Sequence, residues 1–169
     1  MSFNFSLGYT FQHLIIPFTS EMNSAAYWLN KGNELCNSGD FEEAIKAYDH
    51  ALTIDNTLVD AWNNKGMILA NLGRYDDALK SFDEALKLSP KHVYTLSNKG
   101  MVLGQQKRYG EALRCFDAAI EANAYFAGAW YNKALALQAL GKGREAKAAM
   151  KTAMALEPAY RGPPGCRRR

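Results

Sequence analysis

The chain lacks the features that place a protein in a membrane or in a disulfide-bonded class. Its 169 residues contain no run of about 18 apolar residues, so we expect no membrane-spanning helix. The three cysteines, Cys36, Cys115 and Cys166, are odd in number and share no short motif, and the three histidines are scattered. Because zinc sites pair cysteines or histidines at close spacing, we predict no metal, no cofactor and free thiols in a reducing, cytoplasmic compartment.

The sequence also lacks the motifs of common enzyme classes. It contains no Gly-x-Ser-x-Gly, no Walker-type phosphate loop and no His-Glu-x-x-His. A catalytic thiol at Cys36 would need a base within reach, and no histidine is expected on the matching face. We therefore predict that the protein is not an enzyme.

A basic surface is missing from most of the chain. The net charge is +3, but four arginines lie in the last nine residues, and without them it becomes −1. A near-neutral body offers no electrostatic footprint for nucleic acid. We expect neither nucleic acid nor a membrane as a partner.

What the chain does contain is a pattern that returns every 34 residues. Each copy has two amphipathic stretches separated by a short turn, such as Gly73-Arg74 in the second copy. Units of this length and composition indicate stacked helix–turn–helix repeats. The repeats are 25–58, 59–92, 93–126 and 127–160. Small residues recur in register at Gly32, Gly66, Gly100 and Ala134, at Ala44, Ala78, Ala112 and Ala146, and at Ala51, Ala85, Ala119 and Ala153.

Large residues recur at fixed places in the same copies. Helices approach to about 8–10 Å only where small side chains face large ones. We therefore expect the helix-interior glycines to lie against large core residues. The large sets are Trp28, Trp62, Leu96 and Trp130, then Leu35, Leu69, Leu103 and Leu137, then Tyr48, Phe82, Phe116 and Met150.

Two segments lie outside the repeats. Residues 1–24 form an aromatic, almost uncharged leader, for which three alternatives stay open: a disordered leader, an arm that packs on the repeats, or a targeting segment. Residues 161–169 read RGPPGCRRR, and we expect a mobile basic tail.

Residues 25–160 resemble the tetratricopeptide repeat family. The resemblance covers the Trp, Gly, Leu/Tyr, Ala, aromatic, Ala and Pro positions, and it departs where lysine precedes the small residue and where Asn56 and Ala124 replace the closing proline. It implies an all-α fold, a right-handed α-α superhelix (solenoid) of four repeats. It also implies a non-catalytic scaffold that binds an extended peptide or partner segment in a concave groove lined by the first helix of each pair.

The same resemblance implies which residues line that groove. Asn30, Asn64, Asn98 and Asn132 share one position in all four copies. An asparagine there can pair with a peptide backbone, or it can support the helix of the neighbouring repeat, and both alternatives stay open. The predicted groove residues are Asn30, Asn33, Asn64, Met67, Tyr94, Asn98, Met101, Tyr131 and Asn132, with Leu29, Asn63 and Leu135 beside them.

A carboxylate clamp for chaperone tails is not expected. In that subclass two asparagines, here Asn33 and Asn64, act with three basic residues. The three basic positions are occupied by Leu29, Tyr94 and Asn98, so the charge-assisted contacts are lost.

The alternative function is a structural module that stacks end to end. The last helix contains Met150, Met154 and Leu156 among many Ala and Lys residues, so it is expected to present an apolar stripe. We predict weak self-association through this end, or its cover by the leader.

Overall fold

The computed structural model describes residues 24–161. The described part consists of eight α-helices and one short 3-10 helix, with no strand among residues 24–161. The predictions for the leader and for most of the tail lie outside the described residues. The helices are α1 (Ala25–Ser38), α2 (Phe41–Ile54), α3 (Val59–Asn71), α4 (Tyr75–Leu88), α5 (Val93–Gln105), α6 (Tyr109–Ala122), α7 (Ala127–Ala139) and α8 (Gly143–Leu156), followed by η1 (Pro158–Arg161).

These helices form four helix–turn–helix pairs, one for each predicted repeat, so the predicted fold class is confirmed. The chain divides into two compact units, the first ending at Ala61 and the second beginning at Trp62. The first unit contains the α1–α2 pair. The second contains α4 to α8 and most of α3.

The glycines at the recurring small position of the first helices lie against large rings, as the sequence predicts. In the first unit, a Cβ added at Gly32 would lie 2.5 Å from Cε1 of Tyr48. In the second unit, the same construction at Gly100 gives 2.5 Å to Cε1 of Phe116. Tyr48 and Phe116 are 1% and 2% exposed, so each ring fills space that only a glycine leaves open.

The tryptophans are less enclosed than the sequence indicates. Trp28, Trp62 and Trp130 are half-buried, whereas the largest fully buried side chains are Tyr48, Phe82, Ile68, Leu69 and Thr95. The ammonium groups of Lys65 and Lys133 lie 5.5 and 5.4 Å from the ring centroids of Trp62 and Trp130. Because a cation over the face of an indole remains near water, the rings of Trp62 and Trp130 stay partly exposed.

The turns inside the pairs require a left-handed residue. Gly39 has φ 85° and Gly141 has φ 76°, but the third pair has Lys107 at this position with φ 61°. A residue with a side chain loses roughly 1–2 kcal/mol of stability when it adopts this left-handed conformation, and glycine avoids that cost.

We expect Lys107→Gly to raise the free energy of unfolding by about 1 kcal/mol, because it removes that cost. Urea unfolding measures the change. The control is Lys91→Gly, at an exposed loop residue without positive φ, which should lower stability slightly by loosening the unfolded chain. Equal effects of the two substitutions would contradict the assignment of strain to Lys107.

None of the described helices is long and apolar enough to cross a membrane.

Candidate functional site

A buried asparagine organises the hydrogen bonds between α3 and α5. Asn63 is 6% exposed, and its Oδ1 accepts hydrogen bonds from Oγ1 of Thr95 (3.0 Å) and Nδ2 of Asn98 (3.1 Å). Its own Nδ2 donates to Oδ1 of Asn64 at 3.1 Å. Asn63, which the resemblance placed on the groove wall, is therefore an internal link between two repeats, and that expectation is wrong.

The same network fixes a proton on His92. The Thr95 hydroxyl has one hydrogen and donates it to Asn63, whose Oδ1 can only accept. Nδ1 of His92 lies 2.6 Å from Oγ1 of Thr95, so it must be the donor in that contact.

The asparagines at the shared position differ in what they contact. The Asn98 amide donates to Asn63 of the neighbouring repeat, as the structural-support alternative requires, whereas the Asn64 carbonyl accepts from Asn63 of its own helix. Asn132 is half-buried on α7, and its side chain makes no hydrogen bond within residues 24–161. In the second unit, Asn132 is thus the member whose amide remains available to a ligand.

The two predicted groove tyrosines are held by other aromatic rings. Tyr131 stacks on Tyr160 of η1, with ring centroids 4.6 Å apart and an interplanar angle of 18°. Tyr94 meets the ring of Phe126 edge-on at 5.4 Å and is 62% exposed. Phe126 and Tyr160 are the last residues of the third and fourth repeats, so these contacts tie the end of each of these two repeats to its own first helix.

Three helices of the second unit line an open pocket of about 400 Å³, which we call the α5–α7 pocket. Two predicted groove residues, Met101 and Asn132, line it together. None of its lining residues is charged. The full lining is Gly100, Met101, Gly104, Gln105, Tyr109, Phe116, Asn132, Leu135, Ala136 and Ala139.

Sequence reasoning missed the residue that keeps this pocket open. A Cβ added at Gly104 would meet no atom within 4 Å, so the space beside it is unfilled. The other three repeats have Cys36, Ala70 and Gln138 at this position. The signal in the sequence was Gly104 itself. It is a second glycine in the same predicted helix, one turn after Gly100, at a position where the repeat pattern does not require a small residue.

The predicted groove residues outside the pocket are placed as follows. Met67 is 41% exposed on α3, with its sulfur 3.9 Å from Nδ2 of Asn63. In the first unit, Asn30 is exposed on α1, while Asn33 accepts a hydrogen bond of 2.7 Å from the Tyr48 hydroxyl. That bond ties α1 to α2, so Asn33 contributes to the helix pair itself.

The two described cysteines, Cys36 and Cys115, are free and half-buried. Burial raises the pKa of the Cys115 thiol, and nearby Lys99 lowers it by less. Because the thiolate is the nucleophile, this environment makes Cys115 a poor one. Residues 24–161 contain no group of three or more His, Cys, Asp or Glu side chains that could hold a metal ion.

Four family models match the chain, and each is described as a tetratricopeptide repeat or TPR repeat. They match residues 32–73, 59–92, 93–123 and 127–160. The chain belongs to the tetratricopeptide repeat family, whose members are generally non-catalytic scaffolds for protein–protein interaction.

The similar solved structures agree with this assignment. MamA 41-end from Desulfovibrio magneticus RS-1 is 30% identical, with a TM-score of 0.73, over 80% of this chain and 78% of that one. Another crystal structure of MamA is 24% identical, with a TM-score of 0.70, over 75% and 74% of the two chains. A structure of pilF from Pseudomonas aeruginosa is 22% identical, with a TM-score of 0.75, over 79% of this chain and 61% of that one. The last two show a shared fold alone. No curated protein sequence matches the chain.

Proposed function

We propose that this protein binds an extended segment of a partner protein along α5 and α7, and that one apolar side chain of that segment enters the α5–α7 pocket. The proposal rests on one observation: Met101 and Asn132 line the same uncharged pocket, next to Gly104. A ligand pocket combines apolar walls with a few polar groups that fix orientation.

The roles of the lining residues follow from their chemistry. Met101 and Leu135 are 41% and 43% exposed, so they offer adaptable apolar contact to a side chain. The Asn132 amide can donate to a peptide carbonyl and accept from a peptide N–H, which fixes a backbone whatever its sequence. Because the lining is uncharged, binding should depend little on salt.

The expected affinity is modest. An unfolded segment loses conformational entropy when it is ordered on the protein. With one pocket as the anchor, we expect dissociation constants on the order of micromolar, near −8 kcal/mol.

We expect a selection of displayed random peptides against the full chain to yield sequences that share one bulky apolar residue. Gly104→Met, which fills the pocket, should weaken binding of these peptides at least tenfold, and Asn132→Ala should weaken it too. Fluorescence anisotropy with a labelled selected peptide measures both changes.

The matched control is Gly110→Met, at an exposed helical glycine of α6 where an added Cβ also meets no atom within 4 Å. It should leave binding unchanged and should not lower the melting temperature, because methionine favours helix over glycine. Asn98 is unsuitable for this test because its loss would also break the bond to Asn63. The proposal fails if Gly104→Met and Asn132→Ala bind the selected peptides as the parent chain does.

A further inference from the structure

Ion pairs of one kind join successive repeats in the second unit. Nζ of Lys99 on α5 lies 2.5 Å from Oδ1 of Asp83 on α4, and Nζ of Lys133 on α7 lies 2.6 Å from Oδ1 of Asp117 on α6. Each pair links the first helix of a repeat to the second helix of the repeat before it. The equivalent residue of the fourth repeat is Lys151, so the charge at this position is reversed in that repeat.

A second position on the second helices of the repeats also becomes a lysine in the fourth repeat. Leu113 of α6 packs against a core cluster of the fourth repeat that includes Ala134 and Leu137. Leu79 of α4 likewise packs against the cluster of the third repeat. The equivalent residue of α8 is Lys147, which is exposed.

These changes place three cations on one side of α8. Arg144, Lys147 and Lys151 are all exposed, and their spacing of i, i+3 and i+7 puts them on one helix face. Met154 continues this face and is half-buried. We call these four residues the α8 outer face.

The backbone of α8 repeats that of α6. Both helices have 14 residues, and their first residues, Gly143 and Tyr109, are 34 apart. In α6 this surface receives α7, which is antiparallel to it across the short loop 123–126. The α8 outer face therefore has the backbone of a surface that receives a helix. It is basic, however, and the first helix of every repeat carries a lysine at the position that would face Lys151.

Three candidate occupants lack the acidic charge that would complement this face: a second copy in the register of successive repeats, the leader and the tail. A second copy stacked in the same register would bring Lys31, which shares its repeat position with Lys99 and Lys133, against Lys151. Like charges in contact oppose that arrangement, and with it the self-association predicted through this end. The leader has Glu21 as its single charged residue, and every charge of the tail is positive.

We propose that the α8 outer face docks an acidic amphipathic helix of a different protein. The contacts of α7 define its register: a carboxylate in the place of Lys133 would face Lys151, and one four residues later, in the place of Leu137, would face Lys147. A third carboxylate at Leu140, just after the last residue of α7, would extend the acidic side toward the end of α8 that carries Arg144. An acidic protein helix fits better than a nucleic acid because the equivalent surface of α6 receives a helix and the α8 outer face ends on a methionine.

The probe is a labelled peptide of residues 127–142 with Lys133→Glu, Leu137→Glu and Leu140→Glu, held helical by a lactam bridge on its solvent side. A counterpart with lysine at the same three positions is its control. In fluorescence anisotropy at low salt, the full chain should bind the acidic peptide at least tenfold more tightly than the basic one.

The double substitution Lys147→Glu with Lys151→Glu should weaken this binding at least tenfold. Lys80→Glu with Arg114→Glu makes the same change of net charge at exposed residues of α4 and α6, and should weaken it less than threefold. Gly104→Met should not affect it, so this test is independent of the peptide pocket.

Sedimentation velocity tests the exclusion of a second copy. Lys147→Leu with Lys151→Asp restores the pattern of the other repeats and should increase self-association relative to the parent chain. The proposal is overturned if the two charge-reversed variants lose binding equally, or if the peptides bind alike. It is also overturned if single-stranded DNA or phosphatidylserine vesicles bind through Lys147 and Lys151 as tightly as the acidic peptide.

Discussion

Gly100→Ala is expected to lower the free energy of unfolding by about 2–3 kcal/mol, although alanine favours helix over glycine by about 1 kcal/mol. The added methyl group would lie 2.5 Å from Cε1 and 2.9 Å from Cδ1 of Phe116. The ring is 2% exposed and enclosed by other core residues, so it cannot move aside without displacing them. Overpacking therefore exceeds the gain in helix propensity. Urea or thermal unfolding of the full chain measures the change.

The matched control lies one turn away on the same helix. At Gly104 an added Cβ meets no atom within 4 Å, so Gly104→Ala should raise stability by up to about 1 kcal/mol. Phe116→Leu replaces the clashing ring by a smaller side chain. It should therefore lower the free energy of unfolding less in the Gly100→Ala background than in the parent chain. Additive effects, or similar changes for the two glycines, would show that the contact with Phe116 does not determine the residue at position 100.

Asn63→Ala is the second substitution with a large expected effect, a loss of about 2–3 kcal/mol. It removes the acceptor of the hydroxyl of Thr95, which is 0% exposed, and of the Asn98 amide. A buried polar group left without a partner costs about 1–3 kcal/mol, and the loss of packing adds to it. Equilibrium unfolding in urea measures the loss.

Thr95→Val provides the test of mechanism, since it removes the orphaned hydroxyl while keeping the shape of the side chain. Combined with Asn63→Ala, it should recover part of the lost stability, because replacing both partners by apolar groups removes the penalty. Asn132→Ala is the matched control and should change stability by less than about 0.5 kcal/mol. If Asn63→Ala is as mild as this control, the network does not hold the two repeats together.

The candidate site could be predicted in part. Met101 and Asn132, two of the groove residues that the resemblance implies, do line one pocket. Tyr131 was assigned to the same surface, but its ring is stacked on Tyr160, 29 positions later in the chain. No local pattern reports such a contact, since neither residue repeats its type at the equivalent positions of the other copies.

The sequence by itself determined the repeat length, the helix pairs and the facing of glycine and large ring, because each of these follows from a period repeated four times. Only the tertiary structure decided which asparagines are internal. Asn63 and Asn132 are alike as residues, but one is bonded to two side chains more than 30 positions away, and the other lines a cavity. The physical reason is that hydrogen-bond satisfaction and empty space depend on which distant side chains come together, and amphipathic periodicity carries no record of that pairing.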